Sequence, residues 1–201
     1  GDHRDRHSFP TRRSSDLKGP IYMRTEEAIQ KIAEDQHEAG ADFIDVNAGV
    51  FVGQEPEYLK WLVTTVQSVV DGPCCIDSPD PKAIESALTV HQGTPMINSI
   101  SLEKERYEAL LPIVAGTDFK VVALCMSDQG MPQTTDERLG IADELVNNLV
   151  KNNVPVENIY VDPLVQPISA TAASNRSISC GPRSRRFRPG NRLKNCSTQC
   201  A

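Results

Sequence analysis

The chain of 201 residues carries 21 Lys and Arg against 27 Asp and Glu, a formal net charge of -6, with 39% hydrophobic and 24% charged residues. This balance excludes a collagen-like, coiled-coil or strongly basic nucleic-acid-binding chain, and the length suffices for one domain with a real core. The charge is unevenly spread: residues 1–17 hold four Arg and three Asp, residues 170–201 hold six Arg and one Lys without an acid, and residues 18–169 hold ten basic and 24 acidic residues.

The opening GDHRDRHSFPTRRSSDL has neither helical nor strand periodicity. Residues 7–17, HSFPTRRSSDL, read like one translated frame of a common short-read sequencing adapter, so 1–17 is expected to be a non-native, disordered leader. No run approaches the roughly 20 apolar residues of a membrane span, and the N-terminus has no apolar signal region. The expectation is a cytoplasmic protein without a membrane or nucleic-acid partner.

From Thr25 onward one unit recurs. A helical pattern with acidic first-turn residues, TEEAIQKIAEDQHEAG, leads to the apolar run 43–47, and a helix over about 55–70 leads to 74–78. Asp80 and Pro81 supply an N-cap and a proline at the first helical position, opening a helix to about His91. The run 96–100, a helix over about 103–115 and the run 121–126 follow. Thr134 and Glu137 form a capping box before a helix whose apolar face is Leu139, Ala142, Leu145, Val146 and Leu149, and the run 159–163 ends the pattern.

Short apolar strands alternating with helices at this spacing indicate βαβ units on a parallel sheet. An open doubly wound sheet and a (β/α)8 barrel both fit; no GxGxxG or GxxxxGK[ST] follows any strand, which favours the barrel. The last 32 residues, 170–201, have only Ile178, Phe187 and Leu193 as large apolar residues and cannot bury a face. They are expected to be a disordered basic tail of the kind an out-of-frame translation produces. Cys74 and Cys75 lie in an apolar run and read as buried thiols; Cys180, Cys196 and Cys200 lack the CxxC pair or the His partner of a zinc site.

Polar residues recur at one end of the strands: Asp45 and Asn47, Asp77 and Ser78, Asn98 and Ser99, Ser127 and Asp128, and Asp162. An acid or amide in a doubly covered parallel strand is costly unless paired, and in a barrel this end is the rim on which active sites are built. Any one of them could cap the next helix. Together they make a ring of acids and amides without Lys or Arg, suited to a neutral heterocycle that presents N–H donors, and less to a phosphate. A metal held by acids alone and a glycosidase carboxylate pair are weaker readings: His37 and His91 fall on helices away from the strand ends, and one Trp offers little sugar stacking.

The segments IDVNAG (44–49), CIDSPDPKAIESAL (75–88), MINSIS (96–101), LCMSDQGMP (124–132) and IYVDPLVQP (159–167) resemble the pterin-binding methyltransferases, nearest to the methyltetrahydrofolate:corrinoid protein methyltransferase branch and similar to the pterin module of cobalamin-dependent methionine synthase. The resemblance spans about 25–169. It implies a TIM barrel in which residues 18–169 supply strands 2 to 6, a truncated barrel whose first strand should precede Thr25 and whose strands seven and eight should follow Ser169. It further implies that Asp77, Asn98 and Asp162 bind the aminopyrimidinone edge of the pterin, that Asp45 and Asn47 shape the pocket floor, and that Asp128 is a further candidate. The substrate would be methyltetrahydrofolate, whose N5 methyl passes to the Co(I) of a cobalamin carried by a corrinoid or corrinoid/iron-sulfur protein. The family Asn that assists N5 follows the seventh strand, so no catalytic residue is assigned, and no metal site. The family also implies a homodimer. With strands 43–47 and 159–163 left as edges, the chain is expected to be poorly stable and inactive by itself. One alternative is dihydropteroate synthase, on the same fold, although DVNAGVFVG lacks the Arg-bearing loop expected after that enzyme's second strand; the other is a non-catalytic fragment with at most weak pterin binding.

Overall fold

The computed structural model describes residues 26–165 of the chain. The expectations for the leader, the tail and Cys180, Cys196 and Cys200 lie outside these residues. The elements alternate without exception: α1 (Glu26–Glu38), β1 (Ile44–Asn47), α2 (Glu55–Gln67), β2 (Cys74–Asp77), α3 (Pro81–Leu88), β3 (Met96–Leu102), α4 (Lys104–Val114), β4 (Lys120–Ser127), α5 (Thr135–Lys151), a single 3-10 turn Val156–Asn158, and β5 (Ile159–Asp162).

Local chemistry explains the helix boundaries. Asp80 caps α3 through its Oδ1, which accepts from Lys82 N at 2.9 Å, and Pro81 needs no hydrogen-bond partner at the first helical position. The capping box opens α5: Thr134 Oγ1 accepts from Glu137 N, and Glu137 Oε2 accepts from Thr134 N, both at 3.2 Å. At the far end of α1, Gly40 takes φ 88°, the left-handed conformation that closes a helix without a Cβ penalty.

All strand pairs are parallel, and the spatial order β1-β2-β3-β4-β5 is the order of the chain. A doubly wound sheet would reverse its order at a switch point. The sheet is therefore wound in one direction, as in a barrel, and forms a five-strand portion of the (β/α)8 fold.

Because strand side chains alternate, each strand has a face toward the helices and one away from them. Ile44, Val46, Cys74, Ile76, Ile97, Val121 and Ala123 form one apolar cluster with Leu59, Val63, Ile84, Leu110, Leu145 and Leu149 of the helices. Burying such side chains contributes about 1.5–3 kcal/mol each. Asp45, Asn47, Cys75, Asp77 and Asn98 occupy the other face, in register across three strands: Asp45 with Cys75, Asn47 with Asp77, and Asp77 with Asn98.

The structure corrects two details. Leu139 does not belong to the buried face of α5: it is 57% exposed, because the inward position of the first turn is taken by Arg138, which bonds two backbone carbonyls. The third helix stops at Leu88 rather than near His91, with the Thr89 amide and hydroxyl turned back onto Ser86 O. His91 N still donates to Ala87 O at 3.1 Å, and its ring turns to the sheet, where Nε2 accepts from Cys74 N at 2.9 Å.

Candidate functional site

Three predicted residues lie side by side: Asn47 and Asp77 end β1 and β2, while Asn98, expected at the end of its strand, sits within β3, which runs on to Leu102. Asn47 Nδ2 donates to Asp77 Oδ2 at 2.9 Å, while Asn47 Oδ1 accepts from Gly49 N at 2.8 Å. The second bond fixes which end of the amide faces Asp77: the loop after β1 locks Asn47 as a neutral donor that holds the carboxylate without neutralising it. Asp77 pairs in register with Asn98 on β3, and Ser78 N donates to Asn98 O at 3.2 Å.

Beneath them lies Asp45. Its Oδ1 is buried without a hydrogen-bond partner. Burial raises its pKa above the ordinary carboxylate value; hydrogen bonds from the Cys75 thiol and the Asn98 side chain oppose this, and the neighbouring charge of Asp77 reinforces it. A carboxyl so placed holds a proton more readily than Asp residues in water. On the neighbouring strand β2, with its side chain on the opposite face, burial pushes the Cys74 thiol up to about 12, with the charge of Asp45 adding to it, so this thiol is inert.

Asp162 stands across β4 from Asn98 and two residues further along the same face, since Val122 is in register with both Asn98 and Tyr160. Its Oδ1 accepts from Leu164 N at 2.8 Å. Asp128 is placed differently. It is exposed, and its Oδ1 accepts from Lys104 N at 3.0 Å, which caps the N-terminus of α4 from the neighbouring loop. Five of the six candidates thus share one face of the sheet, and the sixth serves a helix end. Among the described residues, no group of three or more His, Cys, Asp or Glu could hold a metal ion, and no helix is long and apolar enough to cross a membrane.

Several residues at or near this rim were not legible as such. Arg106 and Arg138 reach it although the strand-end ring contains no Arg: Arg106 Nε donates to Ser99 O at 2.8 Å, and Arg138 Nε donates to Pro163 O at 2.6 Å. Glu55 accepts from Ser78 Oγ at 2.5 Å. The available signal was helical spacing, since Glu55 and Arg106 each precede a buried leucine, Leu59 and Leu110, by four positions. A separate cavity of about 600 Å3, lined by Gln67, Val70, Gly72, Gln92 and their neighbours, opens at the opposite end of the strands, where barrels place stability rather than catalysis.

A ring of acid and amide groups at the carboxyl rim, on a sheet wound in sequence order, coincides with a match of residues 13–179 to the family described as pterin binding enzyme. The chain belongs to that family. Among curated proteins it is 34% identical over 155 residues to the methylcorrinoid:tetrahydrofolate methyltransferase of Eubacterium limosum, covering 76% of this chain and 57% of that protein. It is 26% identical over 151 residues to the methionine synthase of Mycobacterium leprae, covering 72% of this chain and 12% of that protein. Among solved structures it is similar to the dihydropteroate synthase of Burkholderia cenocepacia, with TM-score 0.52 and 25% identity over 69% of this chain and 52% of that one. The dihydropteroate synthase of Thermus thermophilus shares the fold, with TM-score 0.55 and 22% identity over 69% of this chain and 54% of that one. The chain therefore spans little more than half the length of the first of these relatives, as of these pterin enzymes of known structure.

Proposed function

We propose that this pterin-binding chain takes part in methyl transfer between N5 of a tetrahydrofolate and the cobalt of a corrinoid protein. Asp77, Asn98 and Asp162 would bind the aminopyrimidinone edge, with Asn47 and Asp45 behind them. The observation that carries the reading is the Asn47–Asp77–Asn98 row: Asp77 accepts one bond from the Asn47 amide and retains acceptor capacity for an amidine-like N–H pair, and the adjacent Asn98 amide can both donate and accept. The relative from Eubacterium limosum is named for transfer between methylcorrinoid and tetrahydrofolate, which supports this reading.

The corrinoid partner would supply the cobalt nucleophile. The part of this chain is to orient the pterin and to keep the buried Asp45 carboxyl, with its raised affinity for a proton, under the ring. A tertiary amine leaves poorly, so a hydrogen bond or proton at N5 is needed in the transition state. The alternative, a dihydropteroate synthase-like reaction on a pterin pyrophosphate, asks for basic groups facing the ligand. The two arginines brought to this rim bond backbone carbonyls instead, which supports the methyltransferase reading.

The test is direct. Methyltetrahydrofolate and a Co(I) corrinoid protein are mixed with the chain, and the cobalt absorbance is followed. Conversion to methylcobalt that is lost in Asp77→Ala is expected. Failure to bind tetrahydrofolate at all would overturn the reading, and turnover of a pterin pyrophosphate with an aromatic amine would replace it with the synthase.

A further inference from the structure

Three charged side chains outside the predicted pterin-facing set meet the rim at equivalent points. Glu55 Oε1 accepts from Ser78 Oγ at 2.5 Å. Arg106 Nε donates to Ser99 O at 2.8 Å, with its Nη2 3.3 Å from Ser99 Oγ. Arg138 Nε donates to Pro163 O at 2.6 Å and its Nη2 to Pro132 O at 3.2 Å. Ser78, Ser99 and Pro163 are the residues that immediately follow Asp77, Asn98 and Asp162.

We propose that Glu55, Arg106 and Arg138 are positioning residues, each holding the residue after a pterin-binding side chain and so setting the direction in which Asp77, Asn98 and Asp162 present their polar groups. The inference rests on the pterin reading above. The peptide linking residue i to i+1 is planar, so holding i+1 in place restrains the backbone of residue i, and with it the point and direction from which its side chain leaves the strand. Anchoring i+1 rather than i also leaves the hydrogen-bonding capacity of the binding side chain for the ligand. Bonds with an ionised partner are about twice as strong as neutral ones, which suits an anchor exposed on one side to a solvated pocket.

The placement of the three residues supports a common role. Each occupies the inward position of the first turn of its helix, ahead of a fully buried stripe: Leu59 and Val63 after Glu55, Leu110 and Val114 after Arg106, Leu145 and Leu149 after Arg138. The stripe locks the helix to the sheet, and the charged residue transmits that rigidity to the rim. Ser78 extends one chain of bonds further: it is fully buried, its Oγ also accepts from Asp80 N at 3.0 Å, and Asp80 caps α3. At the other edge, Arg138 ties the loop after β4 to the loop after β5.

The test is a pair of double-mutant cycles on the full chain, read by tetrahydrofolate affinity, with a pterin-free readout beside them. Arg138→Ala is expected to weaken tetrahydrofolate binding about tenfold, as for the loss of one charge-assisted bond. In the Asp162→Ala background it should weaken binding no further, because the anchor acts only through Asp162. An equal loss in both backgrounds would assign Arg138 a general structural role and overturn the proposal. Glu55→Gln keeps an acceptor for Ser78 and should retain affinity within about threefold, whereas Glu55→Ala should lose about tenfold only while Asp77 is present. If Arg138→Ala does not fold, Arg138→Lys, which keeps the charge but not the fork, should give an intermediate loss confined to the Asp162 background. The pterin-free readout is hydrogen exchange at Leu164 N, which is bonded to the Asp162 carboxylate. Faster exchange in Arg138→Ala is expected, and unchanged exchange would overturn the anchor whether or not the chain binds pterin. Faster exchange in a chain that binds no tetrahydrofolate would leave the anchor standing and remove the pterin reading alone.

Discussion

Cys74 and Cys75 are neighbours in sequence and belong to different parts of the molecule. Cys74 points into the apolar cluster beneath the helices, while Cys75 points to the opposite face and donates its thiol hydrogen bond to Asp45. The same division runs along each strand: one face is built for burial, and the other keeps carboxylates and amides close together at some cost in stability. Stability and ligand recognition are thus separated by one residue step, and substitutions on the two faces should fail in different ways.

The largest expected effect is on the helix-covered face. Ile76→Ala deletes a fully buried side chain from the central cluster and should cost about 2–5 kcal/mol of unfolding free energy, measured by denaturant titration. A loss well below 1 kcal/mol would show that this face is not the core. Next comes Asp77→Ala on the polar face, expected to weaken tetrahydrofolate binding by about 2–3 kcal/mol in calorimetry while leaving the unfolding midpoint nearly unchanged. A large stability loss without an affinity change would reverse the assignment of the two faces. Thr134→Ala, which breaks the capping box of α5, should cost about 1 kcal/mol and leave pterin affinity alone.

Asp45→Asn sharpens the comparison through its sign. Burial raises the folded-state pKa of Asp45 above the ordinary value of 3.8, so the favourable protonated form is lost as pH rises through the folded value, and the ionised group destabilises the fold at neutral pH. The Asn variant should therefore be more stable than the parent at pH 7 and lose that advantage at low pH; a lower midpoint at pH 7 would contradict it. The smallest effect is at the amino end of β2. Burial holds His91 below its ordinary 6.5, the Gly93 backbone opposing, and Nε2 must be unprotonated to accept from Cys74 N. Its contribution is present above pH 6.5 and is lost as pH falls below that value, by at most about 1 kcal/mol. Comparing unfolding at pH 7.5 and 5.5 in the parent and in His91→Gln, whose amide oxygen does not titrate, isolates this term.

Much of the fold was legible because periodicity and caps are local. The runs 43–47, 74–78, 96–100, 121–126 and 159–163 coincide with β1 to β5 to within about two residues at either end, and the capping box of Thr134 and Glu137 opens α5 as its spacing requires. The strand-end rule also located Asp45, Asn47, Asp77 and Asn98, which the parallel register brings side by side. What was not legible depends on partners distant in sequence. Asp128 obeys the strand-end rule, yet its carboxylate accepts from Lys104 N, 24 positions away. Leu139 fits an apolar helical stripe, but its neighbour Arg138 takes the inward position because carbonyls of two loops converge there. His91 continues a helical pattern, but the free amide at the start of β2 claims its imidazole.

The sequence alone determined that strands and helices alternate, that polar residues recur toward one end of the apolar runs, and that the patterned region is acidic while its flanks are basic. These are properties of neighbouring residues, set by side-chain periodicity, capping and charge. Only the tertiary structure decided that the strands lie side by side in chain order and so belong to a barrel, because a pattern of alternating strands does not specify which strand a given one pairs with. It also decided which polar groups meet. Asn47 holds Asp77 across 30 residues, and Asp45 is driven toward its protonated form by burial and by a carboxylate on the next strand, effects that arise only when the sheet brings them within hydrogen-bonding or Coulombic range.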